Sequence, residues 1–136
     1  MSRALRPLLV ALLAVLPACE SAQEIGEHAG IEYVAPFIGV AEAQTEGCDS
    51  QLEVAKHMLD LGKAQRAELK PKIEKVKGDE AFKKALLGMA EKANGSTLQR
   101  FATDCPTQAA EVTKIAKQTA DELGVGDLVP AWPAKG

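Results

Sequence analysis

The chain has 136 residues, of which 46% are hydrophobic and 26% are charged, with 16 basic and 19 acidic side chains. This composition is typical of a globular protein rather than a disordered one, and the length supports one small domain. The acidic balance argues against nucleic acid as a partner, because neutralising phosphates requires a basic patch.

The first eighteen residues have the layout of a secretory signal peptide. Arg3 and Arg6 give a positive start, residues 8–16 are uninterruptedly apolar, and Ala18 places a small side chain before Cys19. The apolar run is too short to span a bilayer as a mature helix. We therefore expect residues 1–18 to be removed on export.

The tetrapeptide Leu16-Pro17-Ala18-Cys19 resembles the lipobox of bacterial lipoproteins. The resemblance implies that Cys19 is acylated and becomes the new N-terminus, so that the protein is lipid-anchored in the bacterial cell envelope, on the periplasmic face or at the outer membrane. The alternative is an ordinary secretory signal cleaved at the same bond, which would release a soluble helical protein without lipid. Ordinary cleavage prefers small residues at both flanking positions, and Leu16 is not small.

Removal of the signal peptide takes away Arg3 and Arg6 but no acidic residue. The mature chain then has 14 basic and 19 acidic side chains, a net charge of −5. This charge argues against a polybasic membrane-binding surface, so the lipid on Cys19 would have to hold the protein at the membrane.

Residues 19–45 are predicted to form a flexible tether. They are rich in Glu, Ala and Gly and show no sustained hydrophobic period. The apolar stretch over residues 31–40, which Pro36 interrupts, is compatible with a short strand, a docked arm or a brief helix. An extended segment lying on the folded domain is the favoured interpretation.

The helical pattern begins at residue 46. An apolar stripe that runs from Cys48 to Gly62 predicts an amphipathic helix from 46 to about 70, ended or kinked by Pro71. His57 falls on the opposite side of this helix, so it is expected to face solvent.

Three further helices are predicted from residues typical of helix starts and helix ends. Asp79 is the expected N-cap of a helix that Gly95 stops in the left-handed conformation, and residues 96–99 have the form of a capping box for a short helix. Pro106 suits the first turn of a final helix that ends at Gly124. The fold class is therefore all-α, a small three-to-four-helix bundle over residues 46–123 followed by an irregular tail, 124–136.

Cys48 and Cys105 lie on predicted inner faces, and acylation of Cys19 would leave them as an even pair. A disulfide between them would stabilise a small core by about 4 kcal/mol at most. A redox pair is disfavoured because there is no Cys-x-x-Cys motif, and a metal site lacks further ligands at suitable spacing.

The sequence contains no catalytic constellation that predicts an enzyme, and no cofactor is expected. The most consistent function is a non-enzymatic binding or structural module at a membrane, with a possible protein partner. Alternatives are a small-ligand carrier with a cavity between helices, or a haem carrier that uses Met58 and Met89. Trp132, set between prolines in the tail, either folds back onto the bundle or anchors a partner.

Overall fold

The computed structural model describes residues 20–133; residues 1–19, including the signal peptide and Cys19, and residues 134–136 lie outside the described part. Between residues 20 and 133 the chain forms α-helices and one 3₁₀ turn, with no strand, which confirms the all-α prediction. In chain order the elements are α1 (Ala22–Glu42), α2 (Cys48–Leu61), α3 (Lys63–Val76), α4 (Glu80–Ala90), the 3₁₀ turn (Glu91–Asn94), α5 (Ser96–Asp104) and α6 (Pro106–Leu123).

Helix α1 lies at the centre of the bundle, and its neighbours alternate in direction. Helices α2 and α3 together run antiparallel to α1, since Gly39 packs against Val54 near one end while Glu20 pairs with Lys72 near the other. Helix α4 runs parallel to α1, because Gly26 faces Phe82 and the later residues of both helices also meet.

The last helix completes an up-down-up-down arrangement. Helix α6 runs alongside α2 and α3, with Gln108 bonded to Asp49 and Glu122 bonded to Arg66. We call the end that contains the start of α1, the end of α3, the start of α4 and residues 124–127 the base. The opposite end, with residues 43–47 and the starts of α2 and α6, is the tip. Helix α1 extends about 30 Å from base to tip.

The prediction of a tether over residues 19–45 is wrong for the residues of α1. A capping box starts this helix: the Glu24 backbone N–H donates to the Ser21 hydroxyl at 3.2 Å, and the Glu24 carboxylate accepts from Ser21. The apolar stretch 31–40 is thus part of a 21-residue helix, although Pro36 lies inside it.

Burial offsets the cost of the proline. A proline inside a helix costs about 3 kcal/mol. Val34, Phe37 and Val40 are each at most 1% exposed, and burying a side chain of this kind stabilises by about 1.5–3 kcal/mol. Packing around Pro36 therefore outweighs the lost backbone hydrogen bond, and α1 continues through it.

Glycines on α1 let its neighbours approach closely. A Cβ atom on Gly26 would lie 2.5 Å from the Phe82 carbonyl oxygen, and one on Gly39 would lie 2.6 Å from a Val54 methyl group. Gly30, one turn after Gly26, is covered by Met89 in the same way. Glycine is therefore required on the faces of α1 that contact α2 and α4.

The helix predicted from 46 to about 70 is broken at a different place. Its break is at Gly62, where a Cβ would lie 2.5 Å from an Arg66 guanidinium nitrogen and 2.8 Å from a Glu32 carboxylate oxygen. Pro71 neither ends nor breaks the second part, which continues as α3 to Val76.

Other predicted helix ends are partly confirmed. Asp79 caps α4 through a 2.9 Å bond from the Ala81 backbone N–H, Pro106 opens α6, and Gly124 ends it with a φ of 77°. Gly95 is extended rather than left-handed, because α4 tightens into the 3₁₀ turn before reaching it. The capping box predicted at residues 96–99 does not form, since Ser96 is already inside α5 and Gly95 occupies the N-cap.

The close packing of α1 predicts opposite effects for two glycine-to-alanine substitutions. We expect Gly26→Ala to lower the free energy of unfolding by about 1–3 kcal/mol, because the Phe82 backbone oxygen occupies the space of the new methyl group. Gly88→Ala, at an exposed position in the last turn of α4 with no atom within 4 Å of the new Cβ, should raise it by about 0.5–1 kcal/mol. Urea denaturation measures both; equal effects at the two positions would contradict this packing.

Candidate functional site

A row of ionic side chains lines the contact between α1 and α3 near the base. The Glu20 side chain is 9% exposed, and one of its oxygens accepts a 3.1 Å hydrogen bond from Lys72. The other oxygen lies 2.9 Å from His28 Nδ1, but without hydrogen-bond geometry. Glu20, the residue before the capping box, thus contacts both α1 and α3.

Arg66 is the most deeply buried charge in the described part of the chain. It is 2% exposed, its Nε donates to Glu122 at 2.8 Å, and its Nη2 donates to the Leu59 carbonyl at 2.5 Å. The bond to Leu59 satisfies a carbonyl near the end of α2, while the ion pair joins α3 to α6. Arg66 therefore connects three helices at the level of the Gly62 break.

Two glutamates near Arg66 have pKa values displaced in opposite directions. Burial raises the pKa of Glu122, but hydrogen bonds from Gln118 and Arg66 and the charge of Arg66 together bring this pKa below its usual value. For Glu32, burial dominates over the positive charges of Arg66 and His28, so its pKa is raised.

Glu20 and Glu32 border a cleft of about 380 Å³ between α1 and α3. It is lined by Glu20, His28, Ile31, Glu32, Gln65, Glu68, Leu69 and Lys72. Within residues 20–133 no three His, Cys, Asp or Glu side chains come close enough to hold a metal ion. Arg66 forms an ion pair between two helices, and Glu20, the residue before Ser21, forms one with α3.

Arg66 was missed in the sequence, although a signal for it was present. The apolar stripe predicted from Cys48 to Gly62 continues, one turn later, to position 66. A charged residue on an otherwise apolar stripe indicates a buried ion pair, which Glu122 supplies. Of the two histidines, His57 is exposed as predicted, whereas His28 belongs to α1 rather than to a tether.

The predicted disulfide between Cys48 and Cys105 is present, with their Cα atoms 5.6 Å apart. It joins the start of α2 to the start of α6 at the tip, and Cys105 is 5% exposed. The bond therefore holds the tip, while the ionic row holds the base and the middle of the bundle.

Trp132 folds back onto the bundle and is 5% exposed. Its Nε1 donates a 2.9 Å hydrogen bond to the Ala93 carbonyl, and its ring centroid lies 5.0 Å from that of Phe37 and 6.4 Å from that of Phe101. The indole is thus part of the core, and in this conformation it is not available as a surface anchor for a partner.

A second cleft, of about 300 Å³, lies between the folded-back tail and α6. Its walls include Tyr33, Trp132, Ala116 and Ala120, with Lys117 among the polar residues that line it. Tyr33 is 3% exposed, and burial raises the pKa of its phenol. Its hydroxyl has no hydrogen-bond partner among residues 20–133. The cleft therefore has largely apolar walls, with the Tyr33 phenol and a few polar side chains of α6 at its edge.

Met58 and Met89, the methionines considered for haem, do not converge. Met58 packs against Gly39 and Met89 against Gly30, and nine residues along a helix correspond to about 13 Å. Both methionines instead fill the space that the α1 glycines leave.

The opposite pKa displacements predict opposite pH dependences for two variants. The lowered pKa of Glu122 stabilises the fold above the glutamate pKa of the unfolded chain, and this contribution is lost as the pH falls through the folded pKa. Glu122→Gln should therefore cost roughly 1–2 kcal/mol near pH 7 and progressively less in acid. The raised pKa of Glu32 acts in the opposite sense, so Glu32→Gln should gain stability relative to the native chain as the pH rises. Unfolding curves measured from pH 3 to pH 7 test both; two parallel profiles would contradict this assignment.

The burial of Trp132 predicts that the tail is part of the folded domain. Trp132→Ala should lower the free energy of unfolding by about 3–5 kcal/mol, as expected for removing a buried tryptophan. A chain ending at Gly124 should be destabilised as well. The native protein should show blue-shifted tryptophan emission. Water-like emission together with an unchanged melt after truncation at Gly124 would refute the packed tail.

None of the helices in residues 20–133 is long and apolar enough to cross a membrane. Comparison of the chain with models of protein families, with curated proteins and with solved structures finds no match. The assignment of a function therefore depends on the chemistry of the chain's own residues.

Proposed function

We propose that the chain is a bacterial cell-envelope lipoprotein, anchored through acylated Cys19, whose mature part is a non-enzymatic binding or structural module. The observation that carries the proposal is the pattern Leu16-Pro17-Ala18-Cys19 at the end of a signal-peptide-like run. The disulfide adds support: with Cys48 and Cys105 bonded to each other, Cys19 is the one remaining cysteine.

The use of the buried charges supports a non-enzymatic role. Arg66 is bonded to Glu122 and to a backbone carbonyl, and Glu20 is paired with Lys72 and His28. The Arg66–Glu122 pair joins α3 to α6. Glu20, which precedes α1, is joined to α3 by Lys72 and to α1 by His28. These contacts connect segments that are distant in sequence, which is a structural use of buried charge.

Acylation predicts a clear difference between two variants in the native host. The native protein and Gln23→Ala, an exposed substitution in α1, should fractionate with membranes, whereas Cys19→Ala should not, because it has no thiol to acylate. Mass spectrometry of the mature N-terminus provides the direct measurement. A free, unmodified Cys19 would exclude the lipoprotein and leave an exported protein without lipid.

A second candidate function, a carrier of small ligands, is favoured by the cleft beside Trp132. The Tyr33 phenol lines this cleft, and a phenol hydroxyl can donate a hydrogen bond to, or accept one from, a bound molecule. The largely apolar walls and the hydroxyl of Tyr33 suit a small apolar molecule with one hydrogen-bonding group.

This candidate is tested with 1-octanol, which has an apolar chain and one hydroxyl. Saturable binding should change the emission of Trp132, the sole tryptophan, and Tyr33→Phe should weaken it about tenfold by removing one hydrogen bond. Emission that does not respond to octanol, or an identical affinity in Tyr33→Phe, would reject the cleft as the binding site.

A further inference from the structure

The position at which α1 begins limits how an anchored protein can be oriented on its membrane. Only Glu20 and Ser21 separate Cys19 from the first residue of α1, Ala22. Two extended residues span at most about 7 Å. The tether expected from the sequence would have placed a flexible spacer of some twenty-five residues between Cys19 and the folded domain. Because most of these residues form α1, nearly all of that spacer is absent.

The two intervening residues are themselves held against the bundle. Glu20 is paired with Lys72 of α3 and with His28, and Ser21 is fixed by the capping box with Glu24. The chain therefore leaves the bundle at one defined point of the base, beside the end of α3.

We propose that the base rests directly on the lipid headgroups, with the disulfide-bonded tip pointing away from the membrane. This inference rests on the proposed acylation of Cys19 and adds the membrane-facing surface. The headgroup-facing residues are polar: Lys75, Asp79, Glu80 and Asp127 are exposed, and Lys77 is paired with Asp127 at 2.9 Å.

The chemistry of the base fits a headgroup layer rather than the hydrocarbon interior. The exposed large hydrophobic residues of the described chain are Ile31, Ile38, Leu61 and Leu87, and none belongs to the base. Acidic and basic side chains are mixed there, so an anionic surface neither attracts nor repels it strongly. The acyl group supplies the attachment, and the base supplies a polar contact.

A side-on orientation is disfavoured by charge. The outer face of α1 presents Ile31 and Ile38, which would suit a lipid surface by themselves. On the same helical face, however, lie Glu24, Glu27 and Glu42, whereas the lysines that border it beside Ile31, Lys72 and Lys84, belong to α3 and α4. Bringing these three carboxylates to an anionic bilayer would be repulsive.

Lysine labelling tests the orientation. The acylated protein is reconstituted into vesicles of phosphatidylethanolamine and phosphatidylglycerol and modified with an amine-reactive reagent, with soluble Cys19→Ala as the reference. Lys75 and Lys77 at the base should be labelled severalfold less in the vesicle-bound protein. Lys56 and Lys114, which are 50% and 75% exposed toward the tip half, should be labelled equally in both.

A spacer variant provides the matched control. Insertion of about eight Gly and Ser residues between Cys19 and Glu20 adds a flexible reach of roughly 16 Å, and it should restore the labelling of Lys75 and Lys77 while the protein stays on the vesicles. Equal labelling of base and tip lysines in the acylated native protein would overturn the orientation. Protection of Ile38 from hydroxyl radicals in place of the base lysines would overturn it in favour of the side-on one.

Mass spectrometry of the N-terminus before labelling separates the two claims. An unacylated Cys19 would overturn both the lipoprotein proposal and the orientation that rests on it. An acylated Cys19 with unprotected base lysines would overturn the orientation alone.

Discussion

The architecture depends on how closely the other helices approach α1. Gly26 and Gly30 bring α4 against one side of α1, and Gly39 brings α2 against another. The chain contains few aromatic residues, so it cannot fill wide gaps between helices with large side chains. Short interhelical distances instead allow small and medium side chains to form a continuous core, since dispersion and burial both require contact. The central position of α1 follows from its glycines, and Pro36 is tolerated because the helix is packed on both sides of it.

Three interactions connect the other helices at different levels along α1. The disulfide joins α2 to α6 at the tip, Arg66 joins α2, α3 and α6 in the middle, and Glu20 joins the entry of α1 to α3 at the base. A buried ion pair contributes little net stability compared with a hydrophobic replacement, but removing one partner is costly. Arg66 therefore fixes the relative placement of helices more than it adds to the free energy of unfolding. The folded-back tail, with Trp132 against Phe37 and Phe101, covers the remaining apolar surface.

The sequence was sufficient for those features that depend on a local pattern. The amphipathic stripes and the end signals at Asp79, Pro106 and Gly124 predicted α4 and α6, and the cysteine positions predicted the disulfide. It was insufficient for α1, because the exposed face of this helix carries Ile31 and Ile38 among its glutamates, while its buried faces carry glycines, so that no clear hydrophobic period results. Glycine and proline in that segment indicated a tether, whereas the glycines mark interhelical contacts that only the tertiary structure shows. The capping-box residues Ser21 and Glu24 are a local sequence signal from which the start of this helix could have been predicted. Arg66 and the Tyr33 cleft depend on contacts between elements distant in sequence, so no local pattern predicted their partners.

Native-state hydrogen exchange of α1 tests the account most directly. If α1 is the central helix, amides of the segment from Ala29 to Val40 should be among the slowest in the protein to exchange, opening only with global unfolding. The amides of Ala131 and Trp132 give an internal comparison, because they donate no backbone hydrogen bond within residues 20–133 and should exchange faster. Exchange of the α1 amides at the rate of an unstructured peptide, while the α6 amides remain protected, would contradict the account. It would indicate that this segment is a flexible tether.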